Sequence, residues 1–309
     1  GIKKLLPNHY LEVDLNTLEI IEIEISKPFS QKTSNIHFKK AKKTTHDLVM
    51  ESVSTRSISD VPIGTFLSGG VDSSIVSLCL SKTKDIPIDT FSIGFDKKSF
   101  DETEKSRLVS KIINSNHHEF IVNSKSLEED LENVILNYDE PFADSSALPT
   151  YLVSKLTSSY VKVALTGDGG DEVFGGYNKY YMGKINSIYT DVLPKSIHSN
   201  LLKYIKLITI SKDDKRGKRY KLRKLFESVN YNNDFYKNII SLAFKSKELK
   251  ELLFEEVNVL DSFFENKKMS SIKDFRNLDK NVSLEGDMLV KVDRASMYAS
   301  VECRSPFLN

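Results

Sequence analysis

Cysteine is scarce in this sequence, which holds two, Cys79 and Cys303, among 309 residues. Two thiols cannot build a disulfide framework or a four-thiolate zinc site, so disulfide-rich secreted scaffolds and zinc-finger classes are excluded. Both cysteines lie in segments with the character of a protein interior. We therefore expect both to be packing residues.

An excess of charge of either sign is also missing. The 44 Lys and Arg residues balance 43 Asp and Glu residues, which leaves a net charge of +1. No overall field would draw such a chain to nucleic acid or to a membrane. No apolar run approaches the ~20 residues that span a bilayer, and no charged-then-apolar leader opens the sequence. We expect a soluble cytoplasmic protein with neither nucleic acid nor a membrane as partner.

The composition itself is that of a globular protein, with 39% hydrophobic and 28% charged residues. Residues 1–27 alternate apolar and polar positions around a turn-like DLNT, which predicts a β-hairpin too small to bury its own face. We interpret it as the remnant of an upstream domain. Residues 28–45 are polar and without periodicity, as in an exposed linker. The main domain is predicted to cover residues 46–309.

Short apolar runs alternate with segments of helical length in the first half of this domain. The candidate strands are residues 61–67, 88–95, 118–122 and 161–165. The candidate helices are residues 72–82, 102–114, 127–137 and 147–158. This alternation predicts an α/β fold, a parallel sheet covered by helices on both faces. After residue 177 the strand patterns stop, and a C-terminal helical lobe is expected.

A glycine-rich segment between a predicted strand and a predicted helix is the strongest local pattern. Residues 67–74 read LSGGVDSS. Two glycines allow a tight turn with exposed N–H groups, the serines add hydroxyl donors, and the helix adds its positive N-terminal end. The segment lacks both the Walker ending and the dinucleotide fingerprint. It is a candidate phosphate cradle, and the alternative is a tight turn with serine and aspartate capping.

A second glycine-rich segment follows the last candidate strand. Residues 166–172 read TGDGGDE, and residues 175–177 read GGY. Because ligands of open parallel sheets bind at the carboxyl ends of strands, both segments should meet in one crevice. Asp72 and Asp171 could then hold one Mg²⁺ beside nucleotide phosphates. The alternatives are a surface turn or a calcium loop.

Four further motifs complete a family pattern. They are DEPF at 139–142, DSSA at 144–147, KVDRASM at 291–297 and ECRSPFL at 302–308. Together with the two glycine-rich segments, they closely resemble the synthetase domain of glutamine-dependent asparagine synthetases, from about residue 45 to residue 309. The resemblance implies the adenine nucleotide alpha hydrolase-like fold of PP-loop ATP pyrophosphatases. It also implies that residues 1–27 end a glutaminase domain, that the synthetase domain 46–309 is truncated at its C-terminus, and that this chain lacks the glutaminase nucleophile.

The same resemblance implies an ATP-dependent carbon–nitrogen ligase. Aspartate would be activated as an acyl-adenylate with release of pyrophosphate, and ammonia, drawn from glutamine in the full-length enzyme, would attack it. The implied ATP-binding residues are Leu67, Ser68, Gly69, Gly70, Asp72, Ser73, Ile93, Thr166 and Gly167. Asp72 and Asp171 are the implied Mg²⁺ ligands. Asp168, which stands where many members carry Glu, and Lys291 are the implied catalytic residues.

Other interpretations stay open at this point. The acceptor could be another carboxylate, such as a sugar acid. A different class would be an RNA-binding PP-loop module that uses the eight Lys and Arg residues within 211–224, although a solvated helix face is favoured for this stretch. His117 and His118 point to opposite faces of a strand, which favours structural roles. A homodimer is a possible assembly of this chain.

Overall fold

The computed structural model describes residues 4–5, 8–25, 35–96, 101, 103–122, 124–208, 218–231, 251–253 and 271–309. The chain divides into two compact units, residues 1–48 and 49–309. Among the described residues, no helix is long and apolar enough to cross a membrane.

The first unit contains the predicted hairpin. Strands β1 (His9–Val13) and β2 (Ile20–Glu24) pair antiparallel. The Asp14 carboxylate accepts hydrogen bonds from the amides of Asn16 and Thr17, at 2.7 and 3.0 Å, which fixes the turn. Helix α1 (Phe38–Arg56) runs from this unit into the second. It begins inside the predicted linker 28–45, so the linker prediction was wrong for residues 38–45, which are helical. This part of the helix was missed because an exposed, lysine-rich helix lacks the apolar periodicity by which helices are recognised.

The second unit is built on a five-stranded parallel sheet in the order β5-β4-β3-β6-β7. The strands are β3 (Ile63–Phe66), β4 (Asp89–Phe95), β5 (Asn116–Val122), β6 (Val163–Leu165) and β7 (Glu302–Arg304). Each pair of neighbouring strands is parallel. The predicted α/β fold with a parallel sheet is therefore confirmed.

Helices cover both faces of this sheet. They are α2 (Val71–Thr83), α3 (Thr103–Ile113), α4 (Ser124–Leu136) and α5 (Ala147–Thr157). On one face Val76 and Leu80 of α2 pack with Leu165, and on the other Val153 of α5 packs with Phe91. Each such buried side chain stabilises the fold by about 1.5–3 kcal/mol. Helix α2 packs beside α3, and α4 packs beside α5.

The prediction that strands stop after residue 177 was wrong at β7. This three-residue strand pairs with β6 at the edge of the sheet. A run so short, with exposed Glu302 at its start, gives no alternating pattern to detect. Its placement depends on distant partners, since the Arg304 guanidinium donates to the carbonyls of Arg56 and Ile58 at 2.9 and 2.7 Å.

The described remainder after residue 177 is mainly helical, as expected. Its helices, with the short α6 that precedes them, are α6 (Gly170–Phe174), α7 (Asn178–Val192), α8 (Lys195–Ile208), α9 (Lys218–Ser228), α10 (Ile272–Asp279) and α11 (Val290–Tyr298). A stretch of π-helical geometry, Lys280–Leu289, joins α10 to α11. Residues 211–217 of the basic stretch lie outside the described residues.

Candidate nucleotide site

The first glycine-rich segment forms the turn from β3 into α2. Gly69 has φ +78°, and a Cβ there would lie 2.7 Å from the backbone nitrogen of Ser106. Only glycine fits such a position without strain. The hydroxyls of Ser68 and Ser73 face each other across the turn at 3.0 Å. The turn thus gathers hydroxyl groups at the start of a helix, as the phosphate-cradle prediction requires.

The first turn of α2 keeps its amides uncapped by any described side chain. Gly70 occupies the N-cap in extended conformation and makes no side-chain capping bond. Ser73 and Ser74 instead donate their hydroxyls back to the Gly70 carbonyl, at 3.3 and 2.6 Å. Free N–H groups and the helix dipole together favour an anion at this end.

The second glycine-rich segment forms the connection from β6 to α7 and contains the short helix α6. Gly169 and Gly175, at the two ends of the single-turn helix α6, have φ +84° and +74°. The amides of Gly175 and Gly176 both donate to the carbonyl of Asp171, at 2.7 and 2.9 Å. The bonds from Gly175 and Gly176 close the turn, and Asp171 lies in the first half of that turn.

The two segments are in direct contact. A Cβ on Gly167 would lie 2.7 Å from the backbone nitrogen of Ser73, and one on Gly170 would lie 2.6 Å from the carboxyl carbon of Asp72. Glycine at both positions lets residues 167–170 pack against residues 72–73. The structure therefore brings together the two glycine-rich segments, the first of them the candidate phosphate cradle, at the carboxyl ends of neighbouring strands β3 and β6.

Asp72 and Asp171 form a pair of partly buried carboxylates whose pKa values are both raised. Burial raises the pKa of Asp72, and the like charge of Asp171 raises it further. Burial also raises the pKa of Asp171, while the Lys179 ammonium acts in the opposite direction. Within the described part of the chain, three or more His, Cys, Asp or Glu residues nowhere gather as a metal site. Two carboxylates suit Mg²⁺, which takes its remaining ligands from water and phosphate, and a divalent cation would relieve their repulsion.

The end of β6 is tied to the last residues of the chain. The Thr166 amide donates to the Arg304 carbonyl at 2.9 Å, and its hydroxyl lies 3.2 Å from that of Ser305. Asp168 is half-buried beyond it. Burial raises the pKa of the neighbouring Cys303 thiol to about 12, and the Asp168 charge adds to this rise. A thiol that stays protonated agrees with the packing role expected for Cys303.

The other residues predicted for the ATP site are placed as follows. Leu67 is fully buried, and its amide donates to the Phe91 carbonyl at 2.8 Å, which extends the pairing of β3 with β4. Ile93 lies on β4 and packs against the apolar clusters around Phe91 and Tyr151. Both are near the site end of the sheet, and their contacts with adenosine stay predictions.

Lys291 is buried in α11 and bound to the DSSA segment. Its side chain is 9% exposed, and its ammonium lies 3.3 Å from Oδ2 of Asp144. Burial acts to raise the pKa of Asp144, but hydrogen bonds from Ser146 and the charge of Lys291 outweigh it and leave the pKa lowered. The structure thus pairs Lys291 with a carboxylate, and a substrate anion would have to share this ammonium with Asp144.

Sequence reasoning missed a polar cluster that holds the second segment from behind. Asp279, fully buried at the end of α10, forms an ion pair with the Lys179 ammonium at 2.5 Å and accepts a hydrogen bond from the Tyr180 hydroxyl at 2.8 Å. A carboxylate four residues after Phe275, on the apolar side of a short helix, is the pattern that could have indicated it.

The chain is similar to known proteins over most of its length. The family model described as asparagine synthase matches residues 44–309. A putative asparagine synthetase (glutamine-hydrolyzing) 2 of Methanocaldococcus jannaschii is 36% identical over 258 residues, 81% of this chain and 48% of that protein. Asparagine synthetase (glutamine-hydrolyzing) 1 of Bacillus subtilis is 29% identical over 270 residues, 86% of this chain and 42% of that protein. The chain spans about half the length of these relatives or less.

Proposed function

The chain belongs to the asparagine synthase family, and from this premise we propose that it is the ATP-dependent, amide-forming ligase part of a glutamine-dependent asparagine synthetase. The observation that carries the proposal is the contact between the two glycine-rich segments. It sets a phosphate cradle beside two desolvated carboxylates at the carboxyl ends of β3 and β6. The fold class is that of the PP-loop superfamily.

ATP would bind with its pyrophosphate portion in the cradle. Ser68, Ser73 and the amides at the start of α2 supply donors to phosphate oxygens. The adenosine would lie along the ends of β3, β4 and β6. This role falls to Leu67, Ile93, Thr166 and Gly167.

Asp72 and Asp171 would hold the magnesium ion, one from each segment. When bound, this ion neutralises charge on the β- and γ-phosphates and on the leaving pyrophosphate. The chain's own contribution is alignment, because displacement at phosphorus depends on positioning and charge stabilisation more than on covalent help from protein.

In the first chemical step, an oxygen of the aspartate side-chain carboxylate attacks the α-phosphorus of ATP. The bond from that phosphorus to the oxygen bridging to the β-phosphorus breaks, and pyrophosphate leaves with the bonding electrons. The product is the aspartyl acyl-adenylate. The helix N-terminus at Gly70 stabilises the charge that accumulates on the departing group.

In the second step, ammonia attacks the acyl carbon and AMP leaves, which forms the amide. The attacking nitrogen must lose a proton, and the half-buried Asp168 is the group proposed to accept it or to stabilise the cationic nitrogen. Lys291 is proposed as the cation on the acceptor side, sharing its charge between Asp144 and the substrate. The site must exclude water, since an acyl-adenylate hydrolyses readily.

Release of pyrophosphate from MgATP, measured with and without aspartate, tests the proposal. We expect aspartate to stimulate release in the wild-type chain, with asparagine formed when ammonium is added. The matched variant is Asp168→Asn, which should bind MgATP but form little amide. Stimulation by a sugar acid and not by aspartate would assign a different acceptor, and no stimulation by any carboxylic acid, in protein that binds MgATP, would contradict the ligase proposal.

A further inference from the structure

Helix α10 makes hydrogen bonds to the backbone of the turn that carries Asp171. The Arg276 guanidinium donates through Nε to the Glu172 carbonyl at 3.0 Å and through Nη2 to the Val173 carbonyl. These are the two carbonyls that follow Asp171 in the chain. One side chain from a helix more than 100 residues away in sequence therefore holds the backbone of the second glycine-rich segment.

This turn needs external support. Helix α6 is a single turn of five residues, Gly170–Phe174, between Gly169 and Gly175, which both have positive φ. The last carbonyls of a helix have no partner within it, and so short a helix has little cooperative stability of its own. A guanidinium at its carboxyl end satisfies two carbonyls and complements the helix dipole.

The support is itself rigid. Ser271 caps α10 with a reciprocal capping box to Asp274. Phe275 and Leu278 are buried against Tyr180. Asp279 binds Lys179 at 2.5 Å, just beyond the turn. Helix α10 thus fixes the second segment at α6 through Arg276 and at the start of α7 through Asp279.

The turn also carries a buried carboxyl group. Glu172 is 1% exposed, and its Oε1 has no hydrogen-bond partner among the described residues. A buried carboxyl oxygen without a partner costs free energy, so the turn depends on contacts from elsewhere to keep its position. The backbone contacts from Arg276 hold it where it is, at the residue next to Asp171.

We propose that Arg276 is a positioning residue for the magnesium ligand Asp171, which it keeps opposite Asp72 by fixing the two carbonyls of α6. The inference rests on the proposed function, because it takes Asp171 as a metal ligand. Arg276 itself touches neither metal nor substrate in this scheme. It acts through the backbone of Glu172 and Val173.

The test compares Mg²⁺ affinity in four single variants. Mg²⁺ is titrated at a fixed ATP concentration, binding is followed by calorimetry, and the melting temperature without ligand is recorded separately. Removing a group that orients a metal ligand typically costs about 10–100-fold in metal affinity, and we expect this loss for Arg276→Met. Arg276→Lys should lose less, because an ammonium retains the charge but cannot bond both carbonyls in the guanidinium geometry. Arg223→Met, the matched control, removes a half-exposed arginine from a surface ion pair with Glu227 and should leave Mg²⁺ affinity unchanged.

Asp171→Asn separates the two levels of the argument. If Asp171→Asn leaves Mg²⁺ affinity unchanged, the metal assignment of the proposed function fails. If it weakens Mg²⁺ binding but Arg276→Met does not, only the positioning role fails. The double variant that combines Asp171→Asn with Arg276→Met should bind Mg²⁺ no more weakly than Asp171→Asn alone. If Arg276→Met weakens Mg²⁺ binding as much in the Asp171→Asn background as in the wild-type chain, Arg276 acts independently of Asp171 and the inference is overturned. Should Arg276→Met fail to fold, the intermediate loss in Arg276→Lys carries the test, and wild-type affinity there would overturn it.

Discussion

Gly167→Ala tests the contact between the two glycine-rich segments. A Cβ at this position would lie 2.7 Å from the backbone nitrogen of Ser73 and 3.0 Å from the carbonyl carbon of Asp72. Both are backbone atoms at the start of α2, so no flexible side chain can move aside. The segments would have to separate by about 0.7 Å to reach an ordinary contact distance of 3.4 Å.

Two magnitudes follow from this separation. Overpacking of this kind costs about 1–3 kcal/mol of folding stability. A domain of 150–250 residues loses about 2–4 °C in melting temperature for each kcal/mol, so we expect a fall of about 2–12 °C. Misplacement of reacting groups by about 1 Å can cost about 10²-fold in rate. Aspartate-stimulated release of pyrophosphate should therefore fall by more than tenfold.

Gly286→Ala is the matched control. Gly286 lies in the helical stretch Lys280–Leu289, and no described heavy atom lies within 4 Å of where its Cβ would be. The same substitution there should leave MgATP binding unchanged and raise stability by up to about 1 kcal/mol. Thermal melts and MgATP calorimetry on both variants make the comparison. Wild-type stability and wild-type MgATP affinity in Gly167→Ala would refute the packing of the two segments into one site.

Three further predictions follow from the charges. Asp144→Asn should destabilise the protein more than Lys291→Met does, by about 1–3 kcal/mol in thermal melts, because it leaves a buried ammonium unpaired. In Lys291→Met, by contrast, Asp144 keeps its hydrogen bonds from Ser146. Equal losses of stability in the two variants would contradict this prediction. The pKa values of Asp72 and Asp171 are raised in the fold. These groups therefore stabilise the metal-free protein below their unfolded pKa of about 4, and this stabilisation is lost as the pH rises through the folded pKa values. Because Mg²⁺ competes with protons for the two carboxylates, the melting-temperature gain from MgATP should be larger at about pH 7.5 than at about pH 5, and a gain that falls as the pH rises would count against the pair. Asp168→Asn should keep MgATP affinity but lower amide formation by about 10²–10³, and loss of binding would place Asp168 at the nucleotide instead.

The α/β core was predictable because its patterns are local. The predicted strands are short runs rich in apolar and β-branched residues, and segments of helical length separate them. The glycine-rich segments were predictable for the same reason, since a tight turn near Gly69 restricts the residue types that fit. Their placement at neighbouring strand ends followed from the topology of parallel sheets.

The features that were missed depend on contacts distant in sequence. Strand β7 is three residues long and is defined by its pairing with β6. The bonds from Arg276 to the carbonyls of α6, and the ion pair of Lys179 with Asp279, join residues about 100 positions apart. The position of Asp279 on the apolar side of α10 marks a buried carboxylate, but no local pattern indicates which residue it pairs with. The ion pair of Lys291 with Asp144 was missed in the same way, and the catalytic role that the resemblance implies for Lys291 stays a prediction.

Calorimetric titration with ATP, in the presence and absence of Mg²⁺, tests the central claim most directly. The claim is that one nucleotide site is built from both glycine-rich segments, with one carboxylate from each. The account predicts a single Mg²⁺-dependent binding event in the wild-type chain, weakened in both Asp72→Asn and Asp171→Asn. Mg²⁺-dependent binding that survives unchanged in either variant, or no ATP binding by folded wild-type protein, would contradict it.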